Sequence, residues 1–479
     1  MLKPITLVGE QRKVLTLNPE GPIQIKGAAG SGKTTVAVYR ACHLMDSHSD
    51  MFEPSKVAIF TFNKSLSGYL SELTHSLNKN DYSDMKITNF HKWAFAFIKE
   101  NGLNLYGVTL FDSQMIPILK SIKNTITKTS DNSRILAKST EFFLNEFSWI
   151  KGRCIDSLEE YLATSRTGRG TSDRIIQTDK PVIWDFFNKY NQELRNTGKY
   201  DYDDYALLCL AIIEKKGNVF VPPFTHLVID EAQDLNKAQM SVLTKIVSPN
   251  TISITIIADA AQRIYKSGFS WKDVGLNVVG GRTIEFKKNY RNTIEIAKAA
   301  LSLLEHDNDS DEFTKVELGA ISGDKPLLRK FTNFEVEQEF IIARVQEIRR
   351  DFPLDSICIL HRTHYGLKKV VNCLEKYNID YEKISGNDTV NYSKIDIKVS
   401  TMPSVKGLEF DHVIICDLND DNLPAKSGFS EPDDDLHITT ERRLLYTCIT
   451  RAAKSLILTY NGVPSRYIKE IAPTLWENM

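Results

Sequence analysis

The chain has 479 residues, with 60 Lys and Arg against 61 Asp and Glu, for a net charge of −1. That balance excludes whole-molecule attraction to phosphate, so any nucleic-acid site has to be a local groove. The length implies two to four domains, and 42% hydrophobic with 25% charged residues is the composition of an ordinary globular protein.

Residues 1–10 lack the charged-then-apolar pattern of a secretory leader, and no apolar run is long enough to span a bilayer. The expectation is a cytoplasmic protein with no membrane partner. PIQIK (22–26) reads as a short strand, followed by GAAGSGKT and a helix to about Met45. VAIFTF (57–62) and MKIT (85–88) read as further strands. Residues 95–224 break this rhythm with helical patterns such as EFFLNEFSWIKG and a basic turn, SRTGRG (165–170). Strands return at THLVID (225–230) and ISITIIAD (252–259). A second series follows at RTIEF (282–286), PLLRKF (326–331), SICIL (356–360), KIDIKVS (394–400), DHVIICDL (411–418) and SLILTY (455–460). Short β-branched runs joined by helices predict parallel α/β sheets. The reading is two parallel-sheet lobes: residues 1–94 and 225–279 form the first, 95–224 a mostly helical insertion in it, and 280–479 the second. The acidic stretch 305–312 and the loop 417–435 read as surface segments, and no internal repeat is apparent. Cysteines stand at 42, 154, 209, 358, 373, 416 and 448 with no C-x-x-C pair, which excludes a zinc ribbon or a disulfide framework.

Gly27-x-x-x-x-Gly32-Lys33-Thr34 lies between a strand and a helix, the context a phosphate loop needs. Backbone N–H groups of Gly27, Ala28, Ala29, Gly30, Ser31 and Gly32 would close around phosphate oxygens at the positive end of the following helix. Lys33 would meet the β- and γ-phosphates, and the Thr34 hydroxyl would ligate Mg²⁺. This motif alone says only "nucleotide". Leu227-Val228-Ile229 is an apolar strand that ends in Asp230 and Glu231. Asp230 would hold the metal shell, and Glu231 would polarise a water for in-line attack. Two adjacent carboxylates beside a triphosphate favour hydrolysis over transfer to a substrate hydroxyl.

The acidic pair continues as DEAQD (230–234), and from here the chain resembles the UvrD/Rep-like branch of superfamily 1 helicases. The resembling blocks run in the family's order: Gln11, the phosphate loop, FTFNKSL (60–66), ITNFHKWA (87–94), DYDDYALL (201–208), DEAQD, IIADAAQRIY (256–265), KKNYRNT (287–293), VKGLEFDHVII (405–415) and RRLLYTCITRA (442–452). The resemblance implies RecA-like lobes and ATP with Mg²⁺ bound between them. It implies that Gln11 recognises adenine, Gln262 senses the γ-phosphate, Tyr290 stacks on adenine and Arg291 reaches the γ-phosphate. Glu409 would touch the nucleotide sugar or phosphates, and Arg451 would act as an arginine finger. Thr35 stands where relatives carry an adenine-side arginine, implying looser base recognition. The implied track for single-stranded or tailed duplex DNA uses Phe62, Asn63, Lys64, His91, Tyr265, Phe269 and Trp271, with Arg362 as a further contact.

Three departures shape the expectation. Trp271 follows Tyr265 by six residues rather than two, Pro403 replaces a family His, and only residues 294–398 separate the NYRN and KGLEF blocks. The extra domain that relatives carry in the second lobe is therefore expected to be absent or vestigial. The chain ends soon after Arg451, with no expected room for a fused nuclease. The leading reading is an ATP-dependent translocase or helicase on single-stranded DNA, 3′ to 5′. The alternative is a nucleic-acid-sensing ATPase subunit that activates a partner such as a nuclease, in bacterial defence against phage.

Overall fold

The structure is a computed structural model and describes residues 7–47, 55–61, 68, 70, 74, 84–129, 133–165, 175–262, 269–307, 309–384, 397–425 and 435–478. The first sheet is built from β1 (Ile23–Gly27), β2 (Val57–Thr61), β3 (Lys86–Asn89), β4 (His226–Ile229), β5 (Ser253–Ala258) and β6 (Thr283–Phe286). Its order is β3-β2-β4-β5-β1-β6 and every pairing is parallel. β2 and β4 are buried at every position, which is why they read as unbroken apolar runs. Ile59, Val228 and Ile257 pack on one side with the helix Lys33–Ser47. Phe60, Leu227, Ile229 and Ile256 pack on the other with the helices Phe90–Glu100, Asp204–Lys216 and Lys237–Lys245.

The second sheet has β7 (Leu327–Lys330), β8 (Ile357–His361), β9 (Tyr381–Ile384), β10 (Ile397–Thr401), β11 (Phe410–Ile415), β12 (Ala452–Tyr460) and β13 (Glu477–Asn478). Its order is β13-β7-β12-β11-β8-β10-β9, again parallel throughout. The helices Ile294–Leu304 and Asp435–Ile449 cover one face, and Phe334–Asp351 and His364–Lys376 cover the other. The two sheets share one device. His226 pairs in register with Ser253, and His412 with Ser455, and each imidazole Nδ1 lies 2.7 Å from its serine Oγ. The lobes therefore repeat each other in structure where no repeat was legible in sequence.

Three expectations need correction. RTIEF (282–286) does not open the second lobe: β6 pairs with β1, Gln24 against Thr283 through Gly27 against Phe286. Arg282 fixes that edge by donating to the carbonyls of Pro22, Asn18 and Gly21. A short strand with one buried face carries no mark of which sheet it will join, so the lobe boundary falls after Phe286 rather than at 280. The insertion is also smaller than 95–224. Ile98, Leu105, Tyr205, Cys209, Ile213 and Phe224 belong to the core beneath the first sheet, whereas Phe142, Phe147, Phe186 and Tyr190 form a separate helical core. An amphipathic helix does not announce which core its apolar stripe will meet. Third, the acidic stretch 305–312 is not wholly surface: buried Asp307 takes a bidentate pair from Arg443, both bonds at 2.8 Å. In the loop after β11, Leu418 and Leu423 are likewise buried. No helix among the described residues is long and apolar enough to cross a membrane.

Candidate active site

Parallel strands deliver their carboxyl ends to one edge of the sheet, and that edge is where α/β folds bind ligands. β1, β4 and β5 end there at Gly27, Ile229 and Ala258, followed by the phosphate loop, Asp230 and Asp259. The loop from Gly27 turns into the helix Lys33–Ser47 through Gly30 and Gly32, both at positive φ (71° and 80°). A Cβ on Gly30 would stand 2.4 Å from Asn289 Oδ1, so glycine is required there for the segment after β6 to approach. Tyr290 N–H donates to the Gly30 carbonyl at 2.9 Å. Lys33 Nζ folds back onto the carbonyls of Gly27 (2.8 Å) and Ala28 (2.7 Å) and onto Asp259 Oδ2 (3.0 Å). Buried Gln11 donates to the Ser31 carbonyl at 2.9 Å and accepts from Val8 N–H at 3.1 Å. Thr34 and Thr35 are half-buried in the first helical turn.

The acidic strand end is fully buried. Asp230 Oδ1 accepts from Glu231 N–H at 3.0 Å, while its Oδ2 has no partner of hydrogen-bonding geometry among the described residues. Burial first, and then the neighbouring Glu231, push the Asp230 carboxyl up, and the nearby Thr34 hydroxyl offsets part of that. Burial would also raise Glu231, but Lys406, Lys33, Arg451 and a hydrogen bond from Gln233 outweigh it and hold its carboxyl below the ordinary glutamate range. Glu231 sits in the left-handed region (φ 55°), an unusual conformation for a residue with a long side chain.

Side chains from the second lobe meet this edge. Arg451 is buried and donates from Nη2 to Gln262 Oε1 at 3.0 Å, with further bonds to the carbonyls of Thr447 (2.9 Å) and Leu408 (3.1 Å). Gln262 Nε2 in turn donates to Asp259 Oδ2 at 2.7 Å. Burial, followed by the repulsion of Arg291, draws the Arg451 guanidinium down to about 10, so it stays charged at neutral pH. Arg291 Nε pairs with Glu409 Oε2 at 2.8 Å at the cleft mouth, and the Tyr290 ring is 44% exposed beside them. The Lys288 ammonium lies over this ring, 5.5 Å from its centroid, and an exposed aromatic ring next to a phosphate loop is suited to a nucleobase.

A family model described as the UvrD/REP helicase N-terminal domain matches residues 7–270, and one described as the UvrD-like helicase C-terminal domain matches residues 284–389 and 386–462. The chain belongs to the UvrD/REP helicase family. It is similar to a probable DNA helicase II homolog of Mycoplasma capricolum subsp. capricolum, 22% identical over 400 residues that cover 80% of this chain and 52% of that one. It is similar to the ATP-dependent DNA helicase PcrA of Leuconostoc citreum, 22% identical over 387 residues, covering 77% and 48%. It is also similar to the ATP-dependent DNA helicase srs2 of Schizosaccharomyces pombe, 24% identical over 403 residues, covering 80% and 44%. The chain spans about half the length of the curated relatives it matches.

In this UvrD/REP family chain the structure brings together Gln11, residues 27–35, Asp230, Glu231, Gln262, Tyr290, Arg291, Glu409 and Arg451. Sequence reading missed three members of the same site. Lys406 is 1% exposed in its side chain and pairs with Asp234. Asp259 bridges Lys33 and Gln262. Buried Tyr446 reaches from the second lobe to the Ala29 backbone, and burial pushes its phenol up. Lys406 stands inside the VKGLEF block and Asp259 inside IIADAAQ; for Asp259 a lone charge after an apolar run was the available signal.

Of the seven nucleic-acid candidates, His91, Phe269 and Trp271 fall within the described residues. Phe62, Asn63, Lys64 and Tyr265 lie outside the described residues, as does 166–170 of the basic turn. Phe269 and Trp271 meet edge-to-face, ring centroids 5.5 Å apart, and both pack partly onto the core beneath the first sheet. His91 stands in an aromatic ladder with Tyr202 (5.5 Å) and Tyr205 (5.8 Å), and Tyr202 continues it to Phe111 (5.6 Å). Phe111 and Tyr202 are exposed. Burial draws the His91 imidazole down to about 4, so it is neutral at pH 7 and suited to stacking rather than to pairing with phosphate. Arg362 is engaged in a bidentate pair with Glu441, both bonds at 2.8 Å.

Proposed function

We propose that this chain hydrolyses ATP in the cleft between its lobes and couples the cycle to 3′-to-5′ stepping along single-stranded DNA, opening tailed duplexes. The observation that carries the reading is the bond from Arg451 of the second lobe to Gln262 of the first, beside the phosphate loop. Catalytic parts contributed by two lobes are complete only when the lobes meet, and a cycle that closes and reopens a cleft is a stepping motion. The residues fit a phosphate-bound cation: Asp230 Oδ2 and Ser31 Oγ are buried at the loop with no partner of hydrogen-bonding geometry among the described residues. Thr34 and Asp230 would hold Mg²⁺, which neutralises phosphate charge when bound.

The remaining roles belong to the chain's own groups. Lys33 turns from its own loop carbonyls and Asp259 to the phosphates. Glu231, charged and buried, orients a water for in-line attack and takes its proton. Arg291 and Arg451 stabilise charge spread over the transferring phosphoryl group. Gln262 links that charge to Asp259. Gln11 and the Tyr290 ring hold the adenine, and Thr35 in place of an adenine-side arginine leaves base selection loose. The ladder of His91, Tyr202 and Phe111 offers stacking faces for bases, and the direction of travel comes from the family resemblance.

The test is ATP hydrolysis with and without single-stranded DNA, using wild type, Lys33→Ala and Glu231→Gln. Strand-stimulated hydrolysis lost in both variants is the expected result. Hydrolysis indifferent to the strand would refute the coupling. A second reading, a sensing ATPase that activates a nuclease partner in anti-phage defence, is favoured by one feature. Every described helix and strand of 294–384 packs with the second lobe, so no separate domain is found there among the described residues. Strand-stimulated hydrolysis without unwinding of a tailed duplex would select that reading.

A further inference from the structure

The chain returns from the helical insertion to the first lobe through the turn 201–204, and that turn is closed on itself. Asp201 N–H donates to Asp204 Oδ2 at 2.9 Å, and Asp204 N–H donates to Asp201 Oδ1 at 3.1 Å. The other oxygen of each carboxylate accepts from a single ammonium, that of Lys151, at 2.6 Å in both cases. Lys151 stands in the last turn of the helix Thr140–Gly152, inside the insertion, and its side chain is 2% exposed. One turn earlier on the same helix, Ser148 bonds to the Asp203 carboxyl. From the helix Lys180–Asn196 the Tyr190 hydroxyl donates to Asp201 Oδ2 at 2.9 Å. The two linkers between lobe and insertion are also bonded to each other, Tyr200 N–H to the Val108 carbonyl at 3.1 Å and Leu110 N–H to the Tyr200 carbonyl at 2.8 Å. Phe111 and Tyr202, one on each linker, are kept with ring centroids 5.6 Å apart.

Between the clamped carboxylates Tyr202 is 37% exposed, so core packing does little to aim its ring and the backbone beneath it has to. A buried ion pair is a poor source of stability, since apolar side chains of similar volume often do as well. What one ammonium shared by Asp201 and Asp204 does supply is a fixed geometry on both sides of Tyr202. We propose that Lys151 is a positioning residue for the nucleic-acid strand: from the insertion it clamps the turn 201–204 and so holds the Tyr202 ring beside His91 and Phe111, ready to stack on a base. This rests on the stacking role given to those rings above and extends it to a buried residue of the insertion. A ring fixed before the strand arrives loses little freedom on binding, and that is the source of the gain in affinity.

The experiment uses the whole chain with Lys151→Met, Lys151→Gln, Tyr202→Ala and each lysine variant combined with Tyr202→Ala. Binding of oligo-dT is measured by fluorescence anisotropy, and folding by the cooperativity of thermal unfolding. Hydrogen–deuterium exchange is followed across 198–206 without strand. Lys151→Met should weaken oligo-dT binding by about threefold to thirtyfold, up to the scale of one lost stacking contact, with ATP affinity within about twofold. Lys151→Gln keeps an amide donor for one carboxylate, should lose less, and carries the test if Lys151→Met does not fold. With Tyr202 already alanine, either lysine variant should cost less than about twofold more, because the ring it aimed is gone. Exchange across the turn should quicken in both. A loss in Tyr202→Ala without one in the folded lysine variants would overturn the proposal and leave the stacking reading standing. So would unchanged exchange, or the same loss with and without Tyr202, which would make Lys151 a support for the fold at large. If Tyr202→Ala itself leaves oligo-dT binding unchanged, the stacking reading fails and the proposal falls with it.

Discussion

Gly30 is where the first lobe's phosphate loop touches the segment that carries Tyr290 and Arg291, and Gly30→Ala tests that contact quantitatively. At φ +71° an L-residue costs about 1–2 kcal/mol over glycine. The new Cβ would also lie 2.4 Å from Asn289 Oδ1 and 3.0 Å from Arg291 Cβ. Asn289 cannot swing aside freely. Its Oδ1 accepts from the N–H groups of Arg291 (3.0 Å) and Asn292 (3.1 Å), and its Nδ2 donates to Asn292 Oδ1 (2.9 Å). Losing two or three of these at about 1 kcal/mol each brings the total to about 3–5 kcal/mol. Gly102→Ala is the internal control: φ is +95° and nothing lies within 4 Å, so only the backbone cost of about 1–2 kcal/mol applies. Urea unfolding of both variants, followed by the transition that reports the first lobe, measures the difference. Gly30→Ala should also lower kcat, because Arg291 is displaced with Asn289. If the two variants fall within about 0.5 kcal/mol of each other, the contact is not the constraint described and the reasoning is wrong.

Half-buried Asp203 lies beside Asp201, Asp204 and Lys151, and desolvation, then Asp201, raises its carboxyl. The native state therefore keeps a proton that the unfolded chain loses near pH 4, so this group's contribution to stability falls as pH rises from about 4 towards neutrality. Asp203→Asn cannot ionise, so its melting temperature should gain on wild type across that window. A difference that is flat or shrinks with pH would contradict the assignment. Tyr202→Ala should weaken binding of an oligo-dT strand by about 1–3 kcal/mol in fluorescence anisotropy, the scale of one lost stacking contact, with ATP affinity unchanged. Tyr290→Ala removes a ring that is 44% exposed, so stability should stay within about 0.5 kcal/mol of wild type while KM for ATP rises severalfold. An unchanged KM would remove Tyr290 from the adenine site.

Some of this protein was decided within a few neighbouring residues. The phosphate loop is one: strand end, two glycines at positive φ and a helix start lie at 27–34, and their geometry comes from the spacing alone. The Asp230–Glu231 pair is another, because an apolar strand that runs to the sheet's carboxyl edge must present its next residues there. Runs such as 227–229 and 413–415 declared parallel, doubly covered strands because every position in them had to be apolar. Tertiary structure decided the features that depend on distant partners. β6 is apolar on one face only, and only its hydrogen bonds with β1 say which sheet it completes. Asp307 sits in a stretch that is acidic enough to be surface, until Arg443, 136 positions away, makes it core. Lys406 finds Asp234 across 172 positions, and Arg451 finds Gln262 across 189. No local pattern records such pairs: a buried charge is stable only through a partner, and the partner's place is set by how two separately folded sheets face each other.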